Sequence, residues 1–208
     1  MKTSSRPAFI FALPAIALLF SLVPAHGQAS KVVGQKPAFE DIESPQFSGG
    51  KQKAFKPGDW LEIEAELQID LAPEPPSKTC DKITVKWYVA VKNPDKQGTF
   101  LLLSKDIEHV NVPTGEKIVC SVYLSPASIR RLTGSAKAGK NSVEYVGYEV
   151  LVNGEKKMEE TNKGKAGWWN TGSDKISRSE AVPLLSKAQT PFKDMWWDRY
   201  AELGEVRR

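Results

Sequence analysis

Histidine is almost missing from this chain: two occur in 208 residues, and only His109 lies beyond the N-terminal stretch. That scarcity excludes much of the chemistry that side chains run near neutral pH. A Ser–His or Cys–His nucleophile would have to use His109, which falls in an alternating segment and reads as a surface strand residue. A zinc site needs companion ligands, and none stands near it. Excess charge of one sign is also lacking. Lys and Arg number 29 against 25 Asp and Glu, a net +4 that drops to +2 without Lys2 and Arg6. A mixed, near-neutral surface argues against nucleic acid as a partner. No internal repeat occurs, and no apolar run of membrane length follows the first thirty residues.

The N-terminus supplies the one long apolar run. Lys2 and Arg6 precede an uncharged stretch from Ala8 to Val23, and Ala25-His26-Gly27 offers small residues for cleavage. The run contains Pro14 and falls short of the roughly 20 residues that span a bilayer. It reads as a secretory signal over 1–27. The expected location is therefore outside the cytoplasm: periplasmic, outer-membrane associated or extracellular, with no membrane span after cleavage. Cys80 and Cys120 are the only cysteines. An exported chain meets oxidising conditions, so a Cys80–Cys120 disulfide is expected.

Strands dominate what remains. In GDWLEIEAELQIDL (58–71), Leu61, Ile63, Ala65, Leu67, Ile69 and Leu71 share one face, and Glu62, Glu64 and Glu66 the other. Period two over this length is a strand with a buried and a wet face. KITVKWYVAVK (82–92) repeats the pattern with Trp87 inward. TFLLLS (99–104), IEHVNV (107–112), EKIVCSVYL (116–124), SVEYVGYEVLV (142–152) and EKKMEET (155–161) complete about seven strands. Asn153-Gly154 marks a hairpin, and SPASIRRLTG reads as one short helix capped by Ser125 and ended by Gly134. The pattern predicts an all-β, immunoglobulin-like antiparallel β-sandwich with a helix near 126–133. Residues 28–57 form an N-terminal edge segment, broken at Pro45. Residues 58–162 form the core, which the Pro-rich APEPPSK (72–78) crosses between sheets. Residues 163–208 form an aromatic-rich extension.

Two chemical motifs fail on inspection. GSAKAGKN (134–141) resembles a phosphate loop, but Asn141 stands where a magnesium-holding hydroxyl belongs, and a helix precedes where one should follow. The glutamates of 58–71 read as a solvated sheet face rather than an acid–base pair. The expectation is a non-enzymatic protein with no catalytic residue, cofactor or metal, leaving a small hydrolase as the remotest alternative.

Four of the six tryptophans stand in two doublets, KAGWWNTG (165–172) and KDMWWDRY (193–200). In the second, Thr190 and Pro191 can start a helix, and Phe192, Trp196, Tyr200 and Leu203 recur at about four-residue intervals. Trp87, Phe192, Trp196 and Tyr200 are therefore expected as packing anchors. Trp197 lies off the stripe, and it joins Trp168 and Trp169 as binding candidates. Indole faces suit protein hot spots or sugar rings, so the expected partner is another protein, with a glycan-binding module as the alternative.

The stretches FKPGDWLEIEAEL, YEVLVNGEKKMEETNKGKAGWWN and TPFKDMWWDRYAEL resemble a family of small exported proteins of Gram-negative gut bacteria. The resemblance implies an immunoglobulin-like fold and an association with type IV pilus-like genes and the outer membrane, which makes other envelope or pilus proteins the expected partners. It carries no active-site residues. The cysteine spacing departs from that of antibody domains.

Overall fold

The computed structural model describes residues 29–46, 57–135, 137 and 139–204. The expected signal segment lies outside them. Two sheets face each other. The first holds β1 (Ala29–Gly34), β2 (Ala38–Glu43), β3 (Asp59–Ala72), β6 (Lys117–Leu124) and β10 (Leu185–Ser186). The second holds β4 (Thr79–Lys92), β5 (Phe100–Pro113), β7 (Val143–Val152), β8 (Glu155–Thr161) and β9 (Ile176–Arg178), in the order β8-β7-β4-β5-β9. The fold is the all-β sandwich that the alternation predicts.

The core follows from that alternation. Leu61, Ile63, Leu67 and Ile69 of β3 face Ile83, Val85, Trp87, Val89 and Val91 of β4, all essentially out of solvent. The Pro-rich link after Ala72 carries the chain from one sheet to the other. Tyr148 of β7 spans the interior and donates its hydroxyl to the Gln35 carbonyl at 2.7 Å. Helix α1 (Pro126–Thr133) forms where its caps predict. Ser125 accepts from the Ser128 N–H at 3.2 Å, and Gly134, at φ 75°, donates to the Arg130 carbonyl at 2.8 Å. Asn153 and Gly154 both take left-handed φ, 50° and 85°, and turn β7 into β8.

Four expectations need correction. TFLLLS and IEHVNV are one strand, β5, because Lys105 occupies an inward position between buried Leu103 and Ile107 and hides the continuity. His109 is buried beneath the C-terminal segment rather than exposed.

The cysteines are free and buried. Cys120 lies opposite Ala65, near the middle of β3, whereas Cys80 stands at the very start of β4, opposite Val112 of β5. The two thiols thus sit at different levels of facing sheets, and a disulfide needs Cα atoms within about 7 Å.

The fourth correction concerns the tail, which forms no helix after Thr190. It wraps the sandwich instead. β9 runs parallel beside the start of β5, and β10 pairs antiparallel with β6. Residues 199–204 then bridge the open side. The Ala201 N–H donates to the Val119 carbonyl at 3.1 Å, and the Gly204 N–H donates to the Glu108 carbonyl at 2.9 Å. The extension is thus a strap between the β6 edge of one sheet and the β5 edge of the other.

Candidate binding surface

Between Phe192 and Arg199 the strap turns into solvent. A ladder of rings leads outward from the sheet at this point. Tyr123, on the outer side of β6, stacks on Phe192 with centroids 5.7 Å apart. Phe192 stacks on Trp196 at 6.3 Å and meets Trp60 of β3 edge-on at 5.8 Å. Tyr123 and Phe192 are buried, Trp196 is 47% exposed and Trp197 is 79% exposed. Phe192 alone secures roughly 2–3 kcal/mol by leaving water, enough to hold the turn's base while its tip stays wet.

A buried lysine explains why the stripe makes a turn and not a helix. The Lys187 ammonium donates to the Lys193 carbonyl at 3.4 Å and to the Met195 carbonyl. It also sits 4.6 Å over the Tyr200 ring. The two carbonyls point inward at this one ammonium instead of along a common helix axis, as helical bonds would require. Trp196 then adopts φ 49°, a left-handed value that ends any helical run. Burial lowers the Lys187 pKa.

The glutamates of β3 fix the far side of the turn. Glu62 accepts from the Tyr123 hydroxyl at 2.6 Å and from the Tyr200 hydroxyl at 2.9 Å. Glu64 accepts from Arg199 at 2.7 Å and lies 3.2 Å from the Tyr200 hydroxyl. Burial first, and the nearby Glu62 carboxylate next, push both phenols well above their ordinary pKa. Both tyrosines stay protonated donors and clasp the strap to the sheet. The outward face of β3 is half-buried under this clasp, not simply wet.

The other doublet is packed down. Trp169 is buried and lies parallel to Tyr88 at 4.8 Å, with an interplanar angle of 7°. Its indole donates to Glu149 at 3.1 Å. Gly147 makes the bay for it: a Cβ there would stand 2.1 Å from the Trp169 ring. Trp168 is half-buried, donates to Thr161 Oγ1 at 3.1 Å and leans on Tyr145. Asn170, next in the chain, turns toward Glu149 at 3.5 Å. The two doublets are not brought together. Trp87 lies at the centre of the sandwich and Tyr200 is half-buried under the clasp. Lys187 is the residue that sequence reasoning misses, since nothing in SKAQT marks this lysine as buried.

Among the described residues, no cluster of His, Cys, Asp and Glu could hold a metal ion, and no helix is long and apolar enough to cross a membrane.

An all-β sandwich, strapped along one side by its own C-terminal extension and presenting two tryptophans from that strap, defines the class of this protein. Its relatives sharpen the assignment. A protein-family model matches residues 23–207, and the chain belongs to that family. A crystal structure of a protein from Akkermansia muciniphila, a gut bacterium, is similar to it at 34% identity with a TM-score of 0.82, covering 86% of this chain and 96% of that one. No curated protein matches the chain.

Proposed function

We infer that this protein is an exported, non-enzymatic binding module of the bacterial envelope, an accessory of a type IV pilus-like surface system or of the outer membrane. The observation that carries the reading is the Trp196–Trp197 turn. Two large apolar rings stand in solvent at 47% and 79% exposure on a backbone fixed by Lys187, Arg199 and Tyr200. A rigid aromatic tip rimmed by charge, with Lys193, Asp194, Asp198 and Arg199 beside it, has the composition of a protein–protein hot spot. It spends little backbone entropy on binding, because hydrogen bonds already fix the turn. The leader-like N-terminus supports export, and the resemblance to exported gut-bacterial proteins supports the envelope setting.

Capture from an envelope extract tests the reading. Immobilised wild-type protein is expected to retain a discrete envelope protein that Trp196→Ala/Trp197→Ala releases, with a glycan array run in parallel. Equal retention by both proteins, or glycan binding that depends on Trp197, would count against a protein partner at this turn.

A further inference from the structure

β5 is covered along its outer edge at both ends and bare between them. Near its start, the Phe100 N–H donates to the Lys175 carbonyl at 2.8 Å, and the Leu102 carbonyl accepts from Ser179 at 3.1 Å. Near its end, the Glu108 carbonyl accepts from Gly204 at 2.9 Å, and the Val110 N–H donates to the Glu202 carbonyl at 3.0 Å. The register with β4 is unbroken from Lys82↔Val110 to Lys92↔Phe100. The backbone groups of Ser104 and Asp106 therefore point to the same outer edge as those of Leu102 and Glu108. No described residue pairs with them there.

The bare stretch opens on a groove of about 610 Å³, whose opposite wall is Ser186, Ala188 and Gln189. Lys105 lines this groove from the inward side of β5. The neighbouring charges pair off, Lys82 with Glu108 at 3.2 Å and Lys86 with Asp106 at 3.5 Å. Lys105 has no ion-pair or hydrogen-bond partner among the described residues.

We propose that this edge is a strand-docking slot for an extended segment of another polypeptide, one that carries an acidic side chain opposite Lys105. Unpaired N–H and C=O groups between two occupied stretches of one edge are a template for a further strand. Main-chain bonds to Ser104 and Asp106 hold any extended chain. Discrimination falls to the inward-facing side chains, which meet Leu103, Lys105 and Ile107 across the pair. Two apolar residues flanking one carboxylate complement that row, and the carboxylate neutralises the one unpaired charge of the groove.

The probe is the peptide Thr-Val-Thr-Glu-Thr-Val-Thr, whose valines and glutamate share one face, against a twin with Lys at its centre. Fluorescence anisotropy with the full chain is expected to show the glutamate peptide binding about tenfold tighter or more. Amide hydrogen exchange at Ser104 and Asp106 is expected to be fast in the free protein and slow in the complex. Lys105→Glu is expected to reverse the preference. Asp106→Pro, which removes an N–H that β4 does not use, is expected to weaken both peptides about tenfold. Trp197→Ala is expected to change none of this, so the slot and the tryptophan turn fail separately. The proposal is overturned if Ser104 and Asp106 are already protected in the free protein. It is equally overturned if peptide binds only after removal of residues 205–208, or if wild type and Lys105→Glu show no preference between the peptides.

Discussion

The two tryptophan doublets share the same Trp-Trp pair in different surroundings and meet opposite fates. Trp168 and Trp169 lie against the outer side of the second sheet, where Gly147 leaves a bay and Glu149 and Thr161 accept the indole N–H groups. Trp196 and Trp197 sit on a turn that Lys187 pulls out of helical geometry, and neither indole N–H meets a partner among the described residues. A large aromatic packs where a neighbour supplies both an empty volume and an acceptor. Where the neighbours grip the backbone instead, the ring is left for something else.

The largest expected effect lies at the packed doublet. Trp169→Ala removes a buried ring and leaves Glu149 without its indole donor, so stability falls by about 3–5 kcal/mol. Chemical denaturation checks this, and a loss under 1 kcal/mol would erase the contrast between the doublets. Gly147→Ala attacks the same packing from the sheet. Its new Cβ stands 2.1 Å from the ring, so Trp169 must leave its bay, at about 2–3 kcal/mol. The melting temperature is expected to drop by about 5–10 °C, with loss of the Trp169 near-UV signal.

A middle-sized effect belongs to the strap. His109 Nδ1 donates to the Ala201 carbonyl at 3.2 Å, and burial pushes the ring's pKa down from 6.5 to about 4. Lys187 and Tyr200 line the same small cavity. The unfolded chain takes up a proton near pH 6.5, and the folded one resists until about 4. This contribution is therefore complete above pH 6.5 and is lost as pH falls toward 4, by roughly 3 kcal/mol. The stability of wild type relative to His109→Gln is expected to be greatest at pH 7 and to fall by roughly 3 kcal/mol toward pH 4. Parallel pH profiles would show that His109 does not hold the strap in this way. The smallest effect is at the exposed doublet, where Trp197→Ala is expected to move stability by no more than about 0.5 kcal/mol.

Much of the fold was legible in the residues. The alternation of β3 and β4 marks both faces of the sandwich, and the Ser125 and Gly134 caps mark α1, because these signals are local. The misreadings share one cause, which is contact from outside the local pattern. The spacing of Phe192, Trp196 and Tyr200 has helical period, yet Lys187 overrides it from outside the stripe. Lys105 breaks the pattern of β5 because a groove, not core, lies over that position. An even cysteine count suggests a bridge, but the level of each thiol along its strand emerges only from the register. For the candidate site, the sequence marks Trp197 as off the stripe, but it cannot say that Trp196 shares its exposure and Trp169 does not.

The central claim is that the turn at Trp196–Trp197 is a contact surface for another envelope protein. A photo-crosslinking phenylalanine analogue placed at position 197 in the producing cell tests it most directly, with the same probe at Val33, which is 50% exposed on β1, as the control. A discrete crosslinked adduct is expected from position 197 and none of that mass from position 33. No adduct at 197, or the same adduct from both positions, would contradict the claim.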